Sequence, residues 1–262
     1  MNLLVTGASS GIGAATAVAA AKEGHTVAIV ARRADRLAQV LSACHAAGAG
    51  ESRMWVADLA DLDTARRVAF EAWEALGHLD VLVLNAGVPM RRHTTRLTVA
   101  DIEHVMRVNF FAPAVMTLAL LPRMIERGSG VVVNVSSVAG RLGNANEAAY
   151  CASKFALCGW AEATAVDLWD TGVKVRLVIP GPIDTEIWDL PGQEPPLYDG
   201  PKVPPEEVAA GILAAIGSDR FEHYVPDLKA VVDAKQADID PFLAGMAQML
   251  HATRRPDAPR ST

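Results

Sequence analysis

The sequence predicts an α/β fold in which a parallel sheet carries helices on both faces. Short β-branched runs alternate with Ala-rich helical patterns from the first residue to about Pro180, which is the pattern of repeated strand–helix units. Several runs are almost wholly apolar, such as VLVL at 81–84 and VVVNV at 131–135, as in strands covered on both faces. No repeat or linker divides the chain, so we predict one doubly wound domain over residues 1–262.

The elements follow in order along the chain. The predicted strands are Leu3–Thr6, Thr26–Ala31, Ser52–Ala57, Val81–Leu84, Val131–Ser136 and Val173–Ile179, with a weaker seventh at His223–Pro226. The predicted helices are 11–23, 34–47, 61–76, 98–126 and 147–171, whose lengths suit right-handed crossovers between parallel strands.

Two later segments differ from this alternation. Eight prolines lie between Pro180 and Pro205, a density that disfavours regular helix and predicts a long structured loop, so we interpret 181–205 as a lid. The final residues, 254–262, read as a flexible tail.

Composition excludes several classes of protein. The formal net charge of −6, with no basic stripe, argues against a nucleic-acid partner. Cys44, Cys151 and Cys158 form neither a CxxC pair nor a Cys/His spacing, so we predict no metal site and a reducing, cytoplasmic location. The apolar run from Val108 to Pro122 has 15 residues and falls short of the roughly 20 that a membrane span needs.

A glycine-rich turn, TGASSGIG, follows the first strand and opens the first helix. Gly7, Gly11 and Gly13 have the spacing G-x-x-x-G-x-G, which differs from the common G-x-G-x-x-G. Glycines here let the backbone approach a pyrophosphate, whose charge then lies at a helix N-terminus. Plain strand-to-helix packing is the alternative, and the position in the first βαβ unit favours dinucleotide binding.

Further motifs follow in a fixed order, each at the end of a strand or within a helix. They are Asn85-Ala86-Gly87, Asn109, NVSS ending at Ser137, YCASK at 150–154 and PGPIDT at 180–185. Together with the glycine-rich turn they resemble the short-chain dehydrogenase/reductase (SDR) family. The resemblance implies a Rossmann-type domain with strand order 3-2-1-4-5-6-7. It also implies an oxidoreductase that moves hydride between a nicotinamide cofactor and a carbonyl or secondary alcohol.

The end of the second strand predicts which cofactor is used. It reads VAIVARR, so Ala31 stands where a carboxylate would bind the ribose 2′-hydroxyl of NAD, and Arg32 and Arg33 follow. A guanidinium fork suits a 2′-phosphate in charge and geometry, and we therefore expect NADP(H) rather than NAD(H). A basic solvated loop is the alternative reading of this pair.

Tyr150 and Lys154 are the predicted acid/base pair. A free tyrosine has a pKa of about 10, and an ammonium at i+4 on the same helical face favours the phenolate. By resemblance, Lys154 also holds the nicotinamide ribose, Ser137 hydrogen-bonds the substrate oxygen, and Asn109 interrupts its helix and holds a water of a proton relay. These four residues form the predicted catalytic set.

The resemblance also assigns the remaining cofactor contacts. Asp58 and Leu59 would meet the adenine, although Asp58 could equally be a helix N-cap. Ile183 and Thr185 would orient the nicotinamide. The full predicted set is Gly7, Ser9, Ser10, Gly11, Ile12, Gly13, Arg32, Arg33, Asp58, Leu59, Asn85, Ala86, Gly87, Tyr150, Lys154, Pro180, Gly181, Ile183 and Thr185.

Other features leave alternatives open. Ile187, Trp188, Leu190 and Tyr198 give the lid an apolar face, which indicates a hydrophobic substrate or only packing of the loop. Arg91, Arg92 and His93 read as a solvated basic loop in preference to an anion site. The helices carrying Asn109 and Tyr150 form the dimer face in the family, which implies a homo-oligomer, a dimer or tetramer. An NAD-linked dehydrogenase and a non-catalytic dinucleotide sensor remain the rival functions.

Overall fold

The computed structural model describes residues 1–253 and contains seven parallel strands in one sheet. The strands are β1 Asn2–Thr6, β2 Thr26–Ala31, β3 Arg53–Val56, β4 Val81–Leu84, β5 Gly130–Val135, β6 Val173–Pro180 and β7 Glu222–Val225. Their order across the sheet is β3-β2-β1-β4-β5-β6-β7. The predicted fold class and strand order are confirmed.

Nine α-helices connect and flank the strands within the described residues. They are α1 Gly11–Lys22, α2 Ala34–Ala46, α3 Leu62–Leu76, α4 Val99–Met106, α5 Ala112–Arg127, α6 Ala148–Asp167, α7 Pro205–Ile216, α8 Lys229–Ala237 and α9 Ile239–Thr253. Short 3₁₀ helices cover Thr94–Arg96, Val138–Gly140 and Glu186–Trp188, and a π-helical turn covers Arg107–Phe111.

The sheet separates two apolar cores because successive side chains of a strand point to opposite faces. On one face Leu4 and Leu82 pack against α3, α5 and α6. On the other, Leu3 and Val83 pack against α1, α2 and α7. Both faces of the central strands are therefore dry, which explains why their sequences are apolar without alternation.

The sequence-based boundaries differ from the structure in a few places. The predicted helix 98–126 is divided by the π-helical turn, and the predicted helix 147–171 ends at Asp167. Beyond that point Trp169 is 78% exposed, so burial no longer supports the helix. Helices α7, α8 and α9 were not predicted. The predicted tail 254–262 lies outside the described residues.

The helical stretch Val99–Arg127 is long and apolar enough to cross a membrane by length and composition. Half of the most apolar window is nevertheless buried inside the fold, with Met116 and Leu120 fully enclosed against the sheet. A core helix of a compact protein has the same composition, so this stretch adds no argument for a membrane.

Candidate active site

Two adjoining cavities open at the carboxyl ends of the strands. One, of about 410 Å³, runs along β1, β2 and β4 and is called the cofactor cleft below. The other, of about 430 Å³, lies beneath the 181–205 segment and is called the substrate cavity. Tyr150 and Thr185 line both, so a group in one cavity would meet a group in the other at the Tyr150 phenol.

Most of the predicted cofactor residues line the cofactor cleft. They are Gly7, Ser9, Ser10, Gly11, Ile12, Arg32, Arg33, Asp58, Leu59, Asn85, Ala86, Gly87, Tyr150, Lys154 and Thr185. Pro180, Gly181 and Ile183 line the substrate cavity instead. Gly13 lines neither cavity.

Each glycine of the turn has a steric reason to lack a side chain. Gly7 and Gly11 have φ of +69° and +54°, a region that L-residues other than glycine rarely adopt. A Cβ on Gly13 would lie 2.5 Å from the carbonyl oxygen of Gly7. Gly13 is therefore needed to pack the start of α1 against the turn.

The end of β2 and the glycine-rich turn form an anion site. The Arg33 guanidinium donates to the Ser9 and Ser10 hydroxyls at 3.0 and 2.7 Å. The carboxylate of Glu186 occupies this anion site, 2.5 Å from Arg33 and 2.6 Å from the Ser10 hydroxyl. Arg36 completes the site at 2.5 Å from the second carboxylate oxygen.

These contacts lower the pKa of Glu186 to about 2, chiefly through the hydrogen bond from Arg33. Arg36 and Glu186 were not predicted as site residues. Arg32, by contrast, is exposed and makes no side-chain hydrogen bond with the described residues. Of the predicted arginine pair, only Arg33 contacts the turn.

Asp58 does not cap a helix. Asp61 is the N-cap of α3 and accepts from the amides of Asp63 and Thr64, whereas Asp58 closes a tight turn by accepting from the Ala60 amide at 3.0 Å. The alternative reading of Asp58 as the helix N-cap is thus wrong. Asp58 stays at the rim of the cofactor cleft.

Asn109 lies in the π-helical turn and is fully buried. Its Oδ1 accepts from the Val88 amide at 2.8 Å, and its Nδ2 donates to the Val88 carbonyl and to the Ser153 hydroxyl at 3.0 Å each. Single-turn π segments often mark functional positions in helices. Asn109 here ties the turn after β4 to α6, directly beside Lys154.

Lys154 is 4% exposed and donates from Nζ to the Val135 carbonyl at 3.0 Å. Burial lowers its pKa to about 8. Within the described residues no carboxylate lies within 4.0 Å of this ammonium. The charge is therefore held against the cofactor cleft mainly by packing.

The two adjacent serines have different partners. Ser136 is buried and donates to the Lys154 carbonyl at 3.2 Å. Ser137 lines the substrate cavity, and its hydroxyl is close enough to the Tyr150 phenol to lower the pKa of that phenol. The structure thus places Ser137, the predicted member of the pair, beside Tyr150.

The pKa of Tyr150 is raised well above its ordinary value. Burial is the main cause, and the nearby Glu147 carboxylate adds to it, while the Ser137 hydroxyl acts in the opposite direction. We expected Lys154 to lower this pKa, and in the structure burial outweighs any such effect. The phenol is held protonated, which is the form that can donate a proton.

Arg91 holds the 181–205 segment over the substrate cavity. It is 4% exposed and donates to the carbonyls of Ile187, Trp188 and Glu194 at 3.0, 2.6 and 2.9 Å. The prediction of a solvated loop was therefore wrong for Arg91. Sequence alone gives no signal for it, because its partners lie about 100 residues away.

The far wall of the substrate cavity comes from the C-terminal helices, which were not predicted to reach the site. Its apolar side chains are Leu228, Val231, Phe242, Met246 and Met249. Ile187, Trp188 and Tyr198 of the 181–205 segment also line this cavity. These are three of the residues that we expected to give the segment its apolar face. Leu190 lines the cofactor cleft instead.

A family model of short chain dehydrogenases matches residues 1–194 of this chain. The chain belongs to this family. Ketoacyl reductase HetN of Nostoc sp. is 38% identical over 179 residues, which are 68% of this chain and 62% of HetN. The match thus spans less than two thirds of that relative. A 3-oxoacyl-[acyl-carrier-protein] reductase of Synechocystis sp. is 33% identical over 225 residues, 85% of this chain and 91% of that protein.

Solved structures of family members share the fold. An SDR protein from Burkholderia phymatum in complex with NAD has a TM-score of 0.83 and 26% identity, covering 100% of this chain and 98% of its own. A short-chain dehydrogenase from Sphingobium yanoikuyae in complex with NADPH has a TM-score of 0.80 and 26% identity, covering 99% and 98%. The family therefore includes proteins bound to either dinucleotide.

Removing the buried ammonium should stabilise the protein. The folded pKa of Lys154, about 8, lies below the unfolded value of about 10.4, so the unfolded state binds the proton more tightly. The wild-type stability should therefore rise as pH increases from about 8 to about 10. At pH 7 we expect Lys154→Met to raise the free energy of unfolding by on the order of 1–3 kcal/mol.

Denaturant unfolding at several pH values measures this difference, with the exposed Lys174→Met as the matched control. The difference in free energy of unfolding between wild type and Lys154→Met should become smaller above pH 8. A variant less stable than wild type at pH 7 would show that the ammonium is net stabilising.

Replacing Arg91 should release the 181–205 segment. Arg91→Met leaves three carbonyls without their charged donor, and each such hydrogen bond contributes on the order of 1–3 kcal/mol. We expect hydrogen exchange of the amides at 186–195 to quicken by at least about tenfold at unchanged global stability. Arg53→Met, at an exposed position, is the control. Equal hydrogen-exchange protection of these amides in both variants would show that Arg91 does not hold the segment.

Proposed function

We propose that this protein is an NADP(H)-dependent oxidoreductase that interconverts a carbonyl compound and a secondary alcohol. The observation that carries the proposal is the position of the Tyr150 phenol, which lines both cavities and has Ser137 beside it. A proton donor at that junction is what reduction of a carbonyl requires besides hydride. Membership of a family of dehydrogenases and reductases supports the same reaction class.

The residues of the cofactor cleft fit a dinucleotide. Positive φ angles at Gly7 and Gly11 bring the backbone to the start of α1, where the amides and the helix dipole favour a pyrophosphate. Tyr150 and Lys154 lie at the other end of the cleft. Nicotinamide bound there would supply hydride in its reduced form and accept hydride in its oxidised form.

The anion site favours NADP(H) over NAD(H). Ser9, Ser10, Arg33 and Arg36 together hold the carboxylate of Glu186, and a 2′-phosphate has the same need for hydroxyl and guanidinium donors. Ala31 at the end of β2 offers no carboxylate to a ribose 2′-hydroxyl. Glu186 would have to leave when a phosphate binds.

Each catalytic residue has a distinct task in this proposal. Tyr150 donates its proton to the nascent alkoxide, and Ser137 hydrogen-bonds the substrate oxygen and fixes its position. Lys154 binds the ribose hydroxyls of the nicotinamide half. Asn109 positions the Val88 backbone and Ser153, and we propose that it also orders the water that passes protons toward solvent.

The remaining contacts follow from where the residues lie. Asp58 and Leu59 meet the adenine at the rim, and Ile183 and Thr185 orient the nicotinamide beneath the 181–205 segment, which acts as the substrate lid. An NAD-linked dehydrogenase is the nearest rival function. A non-catalytic dinucleotide sensor is the rival of another class, and it would have no use for a protonated phenol at the cavity junction.

We also propose that the protein is a homo-oligomer in the cytoplasm. Helix α5, which follows the π-helical turn, and helix α6, which packs on that turn, expose Leu118, Phe155 and Val166 at 57%, 39% and 72%. Exposed apolar side chains on neighbouring helices favour association. The three cysteines are free and buried, which fits a reducing compartment.

Tyr150→Phe tests the reaction. We expect kcat to fall by about 10²–10⁴, the usual contribution of a general acid, while the Kd for NADPH, measured by fluorescence, stays within about twofold. NADPH oxidation over a panel of ketones, run beside NADH, gives kcat. Unchanged turnover in the variant would exclude Tyr150 as the proton donor.

Arg33→Ala tests the cofactor preference. Loss of a charged donor to the 2′-phosphate should lower kcat/KM for NADPH by about 10–10² and leave that for NADH nearly unchanged. Arg32→Ala is the matched control, and its effect should be much smaller because Arg32 does not contact the turn. A similar loss with both cofactors would mean that Arg33 supports the turn and does not read the phosphate.

A further inference from the structure

The substrate cavity is mainly apolar, with polar side chains at Arg91, Ser136, Ser137 and Thr185 and around the start of α6. There Glu147 and Asn146 line the cavity beside the catalytic residues. Glu147 Oε2 accepts from Asn144 Nδ2 at 2.9 Å, and its other carboxylate oxygen has no hydrogen bond with any described residue. The Asn146 Oδ1 is buried and likewise has no partner in the described part of the chain.

The Asn146 oxygen is a buried acceptor without a donor, and the free Glu147 oxygen belongs to a half-buried carboxylate that lines the cavity. A buried polar atom without a partner costs on the order of 1–3 kcal/mol, so such atoms in a ligand cavity indicate what the ligand supplies. Asn146 also has φ of +62°, the one positive value among the described residues other than glycine, and strain of this kind is concentrated at binding sites. Both observations point to a hydrogen-bond donor on the substrate.

The nearest cation is already engaged. Arg91 acts on Glu147 electrostatically, but its Nε, Nη1 and Nη2 atoms each donate to a carbonyl of the 181–205 segment. No ion pair within 4.0 Å neutralises Glu147 among the described residues. Burial is the main reason that the pKa of Glu147 is raised, and a substrate carboxylate or phosphate at this end would raise that pKa further and is disfavoured.

Glu147 also fixes where on the substrate the donor must be. It is the N-cap residue of α6 and precedes Tyr150, which lies in the first turn of that helix, by three residues. The Glu147 carboxylate raises the pKa of Tyr150, which confirms that the two groups interact. A donor bound to Glu147 therefore lies within one or two carbons of the reacting carbonyl.

We propose that Glu147 is a specificity-determining residue that accepts a hydrogen bond from a substrate hydroxyl next to the reacting carbon. The substrate class is then a hydroxy ketone or the corresponding vicinal diol with an apolar remainder. Phe242, Met246 and Met249 accommodate that remainder at the far wall. A neutral hydroxyl suits the half-buried carboxylate better than an ammonium, which would lose its own hydration. This inference rests on the proposed function, since it assigns Tyr150 as the proton donor.

The test compares two ketones that differ by one group of equal size. Hydroxymethyl butyl ketone carries the hydroxyl, and ethyl butyl ketone replaces it with a methyl group. A site built to bind a hydroxyl discriminates strongly against the analogue that lacks it. We expect wild type to prefer the hydroxy ketone in kcat/KM by at least about tenfold.

Variants assign the preference to the carboxylate. Glu147→Leu should bring the ratio of kcat/KM values to within about threefold of unity, through a raised KM for the hydroxy ketone and little change for ethyl butyl ketone. Glu147→Gln keeps an acceptor oxygen and should retain part of the preference. Glu206→Leu removes an exposed carboxylate on α7 and should behave as wild type.

The outcomes separate the two proposals. If wild type reduces both ketones without preference, or if Glu147→Leu keeps the preference, the Glu147 assignment fails while the proposed function stands. A larger gain for aminomethyl butyl ketone than for the hydroxy ketone would overturn the hydroxyl class in favour of a cationic substrate. If neither NADPH nor NADH supports reduction of any ketone, the proposed function fails and the Glu147 assignment fails with it.

Discussion

A hydrogen-bonded junction between β1 and β4 determines where everything else in the site lies. The Thr6 hydroxyl donates to the Val83 carbonyl at 3.3 Å and accepts from the amides of Asn85 and Ala86 at 2.9 and 3.0 Å. Asn85 Nδ2 returns a bond to the Thr6 carbonyl at 2.9 Å. This is the point at which the strand order reverses, and ligands of open parallel sheets bind where that reversal opens a crevice. A Cβ on Gly7 would lie 2.8 Å from the Ala86 Cα, so the two turns fit together only because the glycine is there.

Hydrogen bonds link that junction to the other groups of the site. Asn109 accepts a hydrogen bond from the Val88 amide, just after the turn, and donates one to the Ser153 hydroxyl on α6. The same helix supplies Tyr150 and Lys154, and Glu147 is its N-cap residue. The cost is a buried ammonium, whose pKa is lowered by burial and which disfavours stability near pH 7. Strongly shifted pKa values such as those of Lys154 and Tyr150 cluster at functional sites.

Local sequence patterns were enough to predict the strands and most of the first six strand–helix units. The strands are apolar runs in the sequence, and spacing together with the family resemblance predicts Tyr150, Lys154, Ser137 and Asn109 as the catalytic set. The contacts of Arg91 and Glu186 could not be predicted, because each joins residues about 100 to 176 positions apart. The raised pKa of Tyr150 depends on burial, which i+4 spacing does not encode. Helices α8 and α9 follow the last strand, β7, and they line the cavity through tertiary packing that local sequence patterns do not encode.

A crystal structure of the protein with NADPH tests the central claim most directly. The account predicts a dinucleotide along the carboxyl ends of the strands, with its 2′-phosphate on Ser10 and Arg33 and its nicotinamide next to Tyr150. The Glu186 carboxylate should have left the anion site. A dinucleotide bound elsewhere, or one whose 2′-phosphate points into solvent while Glu186 stays on Arg33, would contradict the account.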